Sequence, residues 1–421
     1  MIKINFFNKD FLDKNLNFIK LLLITLFIFF FDIKFKIFSI LFDLRLFSIL
    51  LFPIMIYEYR IHRKYNNFIL IFFLILIFLL LHYFLNIFTN KIPFNIYSIV
   101  KIISGFLILS SIFYYKEFVL ININKIINMF LIIFFFIILA FNIISFFNNS
   151  FSLNCFFGCF SVNRFLFLEN SHLAYISSLI IFFYIFNSLK KDNIKFIVFF
   201  LFFLISLIKN QSTTLLTSNI IISTFFLIFY SKNLDKFKFV SFLCIFVLSS
   251  IFIVSPFHKE KVDDFVNIFH QEKKQDNLTF VLSPPEISNV KNLSSDVYFF
   301  NSKIAFNSLI DRPFGWGLYN YQFAHQKYSK ITKSYLEGSS WLNNDDGANI
   351  LFKSIVEMGI FSFLLYIPFL YFLFCKKINF QYKLLLAPPI ITQVLIRGSG
   401  FFNGGFIVFI ILYFYLVFKK N

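Results

Sequence analysis

Long apolar runs alternate along the chain with short polar, basic breaks. At ~20 residues per crossing, the runs predict about twelve transmembrane helices. They cover Phe18 to Phe31, Ile37 to Tyr57, Phe68 to Leu85, Tyr97 to Tyr115 and Ile127 to Phe147. After a polar stretch at Asn148 to Asn170 come Ser171 to Leu189, Phe196 to Ile208, Thr213 to Tyr230 and Phe239 to Ser255. The last three are Ile350 to Phe374, Leu384 to Ile396 and Phe401 to Phe418. The runs are near-continuous over helical lengths, which excludes a transmembrane barrel. The expected fold is therefore all-α: a polytopic helical membrane protein with one large extracytoplasmic loop late in the chain. Residues 1–255 carry the first nine spans, 256–348 form the loop, and 349–421 carry spans ten to twelve.

Composition agrees. Of 421 residues, 59% are hydrophobic and 14% charged, and mean hydropathy is +0.78. No soluble domain tolerates that surface. The net charge of +18 does not indicate nucleic acid, because the basic residues gather in short loops on one side. That side holds Arg60, Arg63, Lys64, Lys190, Lys191, Lys195, Lys232, Lys236, Lys238, Lys376, Lys377 and Lys383. It is expected to be cytoplasmic, with both termini inside and the long loop outside. Lys34 and Lys36 run against this trend. Met1 to Asn15 has mixed charge and no small-residue cleavage site follows, so no cleaved signal sequence is expected. Cys155 and Cys159 fall in an outer loop, and their spacing leaves a local disulfide open.

Candidate chemistry collects on the outer face. A long polar stretch between spans must lie in water or line a wet cavity. Arg164, Glu169 and His172 cluster at the start of the sixth span, where Asn170 or Ser171 would also serve as a helix cap. Asp311-Arg312-Pro313-Phe314-Gly315-Trp316-Gly317 combines a cation that suits phosphate oxygens with glycines that admit close backbone approach to a ligand. A structural turn with an interfacial Trp is the plainer reading. Asp345 and Asp346 precede the tenth span, and two adjacent carboxylates exceed what a cap needs, so one is a candidate general base. Asn349 opens that span. Glu357, inside it, needs a partner, and Lys353 lies four residues earlier on the same helical face. Arg397 sits in a glycine-rich last outer turn. Arg45 and Asp43, within the second expected span, make a candidate ion pair. Neither an HExxH pattern nor a Cys/His cluster is present, and a phosphate-binding Gly-Lys loop is missing too, so no catalytic metal, cofactor or ATP site is expected.

Four stretches together resemble the O-antigen ligase and polymerase superfamily: RFLFLENSHLAY, NQSTTLLTS, RPFGWGL and DGANILFKSIVEMGIFSFL. The resemblance runs from Arg164 to the C-terminus. It implies metal-independent glycosyl transfer from a polyprenyl-diphosphate-linked oligosaccharide on the periplasmic face of the bacterial inner membrane. Arg164, Arg312 and Arg397 would bind the diphosphate. His172, Asn349, Glu357, Gly315 and Gly317 would line the substrate site. Asp346, Asp345 or Glu169 would supply the base. Ligases of the superfamily carry a His directly before the Asn of the last segment, where this chain has Ala348. That departure favours a polymerase joining repeat units. The alternatives are a ligase acting on lipid A core or protein, and a lipid-linked oligosaccharide flippase, which would spread charges through the membrane midplane. Membrane lipids and a chain-length regulator protein complete the candidate partners.

Overall fold

The computed structural model describes residues 9–29, 34–37, 40–62, 66–90, 93–94, 96–147, 170–187, 212–254, 293–330, 332, 343–398 and 400–419. The seventh expected span, the Asn148 to Glu169 stretch, and most of the first half of the long loop lie outside these residues. Two compact units are built from them.

The first unit takes residues 1–72, 104–168 and 402–412. Helix α1 (Lys9–Phe29) packs against a 3₁₀ segment at Leu44–Leu50 and against α5 (Lys116–Phe147). The Phe29 and Phe130 rings stack with centroids 4.2 Å apart. Where the second span was expected, the chain instead forms a hairpin of β1 (Lys34–Ile37) and β2 (Ile40–Asp43), then the 3₁₀ segment and α2 (Leu51–His62). The antiparallel register sets Lys34 opposite Asp43 and Ile37 opposite Ile40. Helix α4 (Ile96–Tyr114) meets α5 at Tyr115 with an 87° bend, so the loop expected at 116–126 is helical. A partly buried ion pair joins α1 to α2, with Lys20 Nζ 2.8 Å from Glu58 Oε1 and lying over the Tyr115 and Phe118 rings.

The second unit takes residues 73–103, 169–401 and 413–421. It holds most of α3 (Asn66–Asn90), then α6 (Asn170–Asn187), α7 (Thr213–Tyr230) and α8 (Lys236–Val254). Ser212 caps α7 by accepting from the Leu215 N–H, the structural role open to such a residue. From the long loop come α9 (Leu293–Asp311) and α10 (Tyr321–Tyr328). The tenth span divides into α11 (Ile350–Met358), a 3₁₀ turn at Gly359–Ser362 and α12 (Phe363–Phe374). Helix α13 (Phe380–Ile391) runs into a π segment at Thr392–Ile396, and α14 (Phe406–Phe418) ends the fold. Pro388 and Pro389 inside α13 each remove a helix N–H, consistent with the irregular hydrogen bonding that follows.

Among the described residues, Thr213–Asn233 and Ile350–Phe374 are long and apolar enough to cross a membrane, and the bent α4–α5 pair makes a third candidate. Shorter apolar helices lie at Leu74–Thr89, Lys238–Ile253, Phe380–Ile396 and Phe406–Phe418.

Candidate active site

The site is built around α11, in the second unit. Gly359 ends that helix with a φ of +56°. The carbonyls of its last turn therefore lack their usual intrahelical donors. The turn after α9 supplies replacements. Trp316 N–H donates to Val356 O and Gly317 N–H to Glu357 O, both at 2.9 Å, while Ile360 N–H returns to Pro313 O at 2.8 Å. Within the turn, Gly315 N–H closes on Arg312 O at 2.9 Å. A Cβ on Gly315 would sit 2.4 Å from Glu357 O, and one on Gly359 would sit 2.0 Å from Pro313 O. The close backbone approach expected of Gly315 is thus made to the chain itself.

This turn presents Arg312. Its guanidinium lies 3.6 Å from the centre of the Trp316 ring, and its Nε is 3.9 Å from the Asp311 carboxylate. Nη1 is buried and has no hydrogen-bond partner among the described residues. Asp311 is held by Lys327 and by Tyr328 Oη at 2.5 Å. Those two hydrogen bonds keep its carboxyl below the usual range. Burial lowers the Arg312 value and raises that of Tyr328. A guanidinium stacked on an indole, with one nitrogen unpaired, keeps a hydrogen-bond donor to spare.

A second cluster sits at the other end of α11, whose nine residues span roughly 13 Å. Asn349 caps the helix, its Oδ1 accepting from Phe352 N–H at 2.8 Å. Arg397, following the π segment, donates to Ala348 O at 3.2 Å and to Asn343 Oδ1 at 3.0 Å. It lies 3.7 Å from Asp346 Oδ1, which also accepts from Ala348 N–H. Asn343, Gly347 and Ala348 all take positive φ, so the loop curls tightly around the arginine. Asp345 is exposed, and its backbone carbonyl accepts from Lys353. The Lys353 ammonium also stands 3.3 Å from the fully buried Glu357, the same-face partner that the spacing suggested.

Arg397, Asp346 and Asn349 are therefore brought together, while Arg312, Gly315 and Gly317 form a separate group joined to α11 near Glu357. His172 is buried at the start of α6, a helix that packs along α13. Arg164 and Glu169 lie outside the described residues, as does the Cys155–Cys159 pair. Asp43 ends β2 and Arg45 lies in the 3₁₀ segment that follows, rather than within a span. No group of three or more His, Cys, Asp or Glu side chains suited to a metal occurs among the described residues.

His325 was not singled out by its sequence context. It lies on α10, buried beside the Phe300 and Tyr321 rings, and burial lowers its affinity for protons. Tyr321 Oη donates to Asn301 Oδ1 at 2.7 Å in the same core. The available signal was the Tyr321, Ala324, His325, Tyr328 spacing, which gives one helical face.

The family model described as O-antigen ligase matches residues 197–367. It covers the Arg312 turn, the Asp345-Asp346 loop and α11, and stops short of Arg397. No curated protein and no solved structure matches the chain. The chain is a multi-pass membrane protein whose residues 197–367 match the O-antigen ligase family, a family whose members transfer lipid-linked glycans.

Proposed function

We propose that the protein is a polysaccharide polymerase of the O-antigen type. It joins polyprenyl-diphosphate-linked repeat units on the outer face of the inner membrane. The observation that carries the reading is Arg312, a guanidinium fixed on Trp316 with Nη1 buried and unpaired. Such a group stabilises charge as it develops on a leaving diphosphate, because the donor is already oriented and partly shielded from water.

The reaction needs no redox partner. A hydroxyl of the acceptor sugar attacks the anomeric carbon of the donor glycan. The bond from that carbon to the diphosphate oxygen breaks, and polyprenyl diphosphate leaves with the electron pair. Asp346 takes the hydroxyl proton. Arg397 acts on that base, since its guanidinium ties Asn343, Ala348 and Asp346 into one loop. Arg312 and Arg397 thus have distinct roles: Arg312 binds the diphosphate, and Arg397 holds the base. In the same reading Arg164 is a further candidate for the diphosphate, His172 for the substrate and Glu169 for the base.

Ala348 supports polymerase over ligase, because the histidine of the ligase motif is missing at that position. The ligase remains the second reading, favoured by the family description itself. Surface polysaccharide from a deletion strain, run on gels, separates the two. A polymerase null leaves lipid core capped by a single repeat unit, and Arg312→Ala, Arg397→Ala and Asp346→Asn fail to restore the ladder. A ligase null instead leaves the core bare while lipid-linked polymer accumulates. A normal ladder in the null strain would overturn both.

A further inference from the structure

The turn that carries Arg312 is held on a second side by a helix from the first quarter of the chain. Three consecutive carbonyls define that turn. Arg312 O accepts from Gly315 N–H, and Pro313 O accepts from Ile360 N–H. Phe314 O accepts from a side chain, His82 Nε2 on α3, at 2.9 Å. A carbonyl can only accept, so Nε2 carries the proton. His82 is buried, and Asn86, one helical turn later, donates to the His82 carbonyl at 2.8 Å.

Ring contacts continue the clamp. His82 meets Phe361 edge-on with centroids 6.0 Å apart, and Phe361 in turn packs on Phe314 at 6.0 Å. Asn86 closes the far side of the turn, since a Cβ added to Gly317 would lie 3.3 Å from its Cβ. His and Asn four residues apart in an apolar helix are costly to bury unless they do something for a neighbour. Here the histidine satisfies the one turn carbonyl of the three that takes no backbone donor among the described residues.

We propose that His82 is a positioning residue for the anion site: by donating to Phe314 O it fixes the turn that aims Arg312. It touches no substrate and acts through that turn. This rests on the reading of Arg312 as the diphosphate-binding group. It also gives α3, which the family match does not cover, a part in the site.

The test uses Trp316 as reporter. The chain has two tryptophans, so Trp341→Phe leaves Trp316 alone, stacked on Arg312. The full chain in lipid nanodiscs is titrated with polyprenyl diphosphate lacking sugars. His82→Phe keeps the ring and loses the donor; His82→Gln keeps a donor. Losing one hydrogen bond is expected to weaken binding roughly five- to tenfold in His82→Phe. His82→Gln should stay within about twofold of the parent. If His82 works through Arg312, the His82→Phe loss should shrink when Arg312→Lys is already present, because the two changes share one pathway. Parent-like binding by His82→Phe, or an undiminished loss in the Arg312→Lys background, would overturn the proposal. Should the parent itself not bind the lipid, the diphosphate reading fails separately. The emission of unliganded Trp316 then decides the clamp: a shift in His82→Phe but not in His82→Gln upholds it, and no shift in either refutes it.

Discussion

Gly359 shows how much of the site rests on single residues. Its φ of +56° and the 2.0 Å approach of Pro313 O leave no room for a Cβ. Gly359→Ala is expected to cost about 3 kcal/mol or more, since left-handed strain and backbone displacement add. Thermal unfolding in detergent would show it, and an unchanged midpoint would mean that the turn and the end of α11 are not in contact. The sequence marked the glycines of the Arg312 turn as places of close approach to a ligand, and the structure brings Gly315 against the chain's own backbone. That partner was not legible, because the backbone it belongs to lies some forty residues later, and no local pattern encodes that pairing. Asn349 and Lys353 were easier to read. A cap and an i,i+4 ion pair are local devices, and the structure forms both.

Whole elements were legible where periodicity spoke plainly and misread where it was overridden by hydrophobicity. The second span failed for a visible reason. Asp32, Lys34 and Lys36 alternate with Ile33, Phe35 and Ile37, the period of a strand. The greasy run beyond them hid that signal, and a hairpin forms instead. Helices α9 and α10 carry a prediction of their own through His325. Burial lowers its folded-state proton affinity, with the Asp345 charge opposing more weakly. The unfolded chain therefore takes up a proton first as pH falls through the ordinary histidine value of 6.5. Stability contributed by neutral His325 is full above that pH and declines below it, until the lowered folded value is passed. The wild-type melting temperature should fall between pH 7.5 and 5.5 by more than that of His325→Phe. Equal falls would show that His325 stays accessible to protons in the folded protein.

At the scale of the molecule, the proposed chemistry stands or falls on which face of the membrane holds the Asn343–Asn349 loop. Positive charge argues for the outside, because the loops that alternate with it carry the lysine and arginine excess. Single cysteines introduced into a cysteine-free background test the assignment with a membrane-impermeant maleimide on intact spheroplasts. Asn344→Cys is expected to label from outside, because Asn344 is exposed in the loop beside Arg397. Lys232→Cys, exposed just beyond α7, and Lys376→Cys, after α12, should label only once the membrane is permeabilised. The reverse pattern would place Arg312, Asp346 and Arg397 in the cytoplasm. A polymerase that draws on repeat units already carried across the membrane could not work there, whatever the geometry of its arginines.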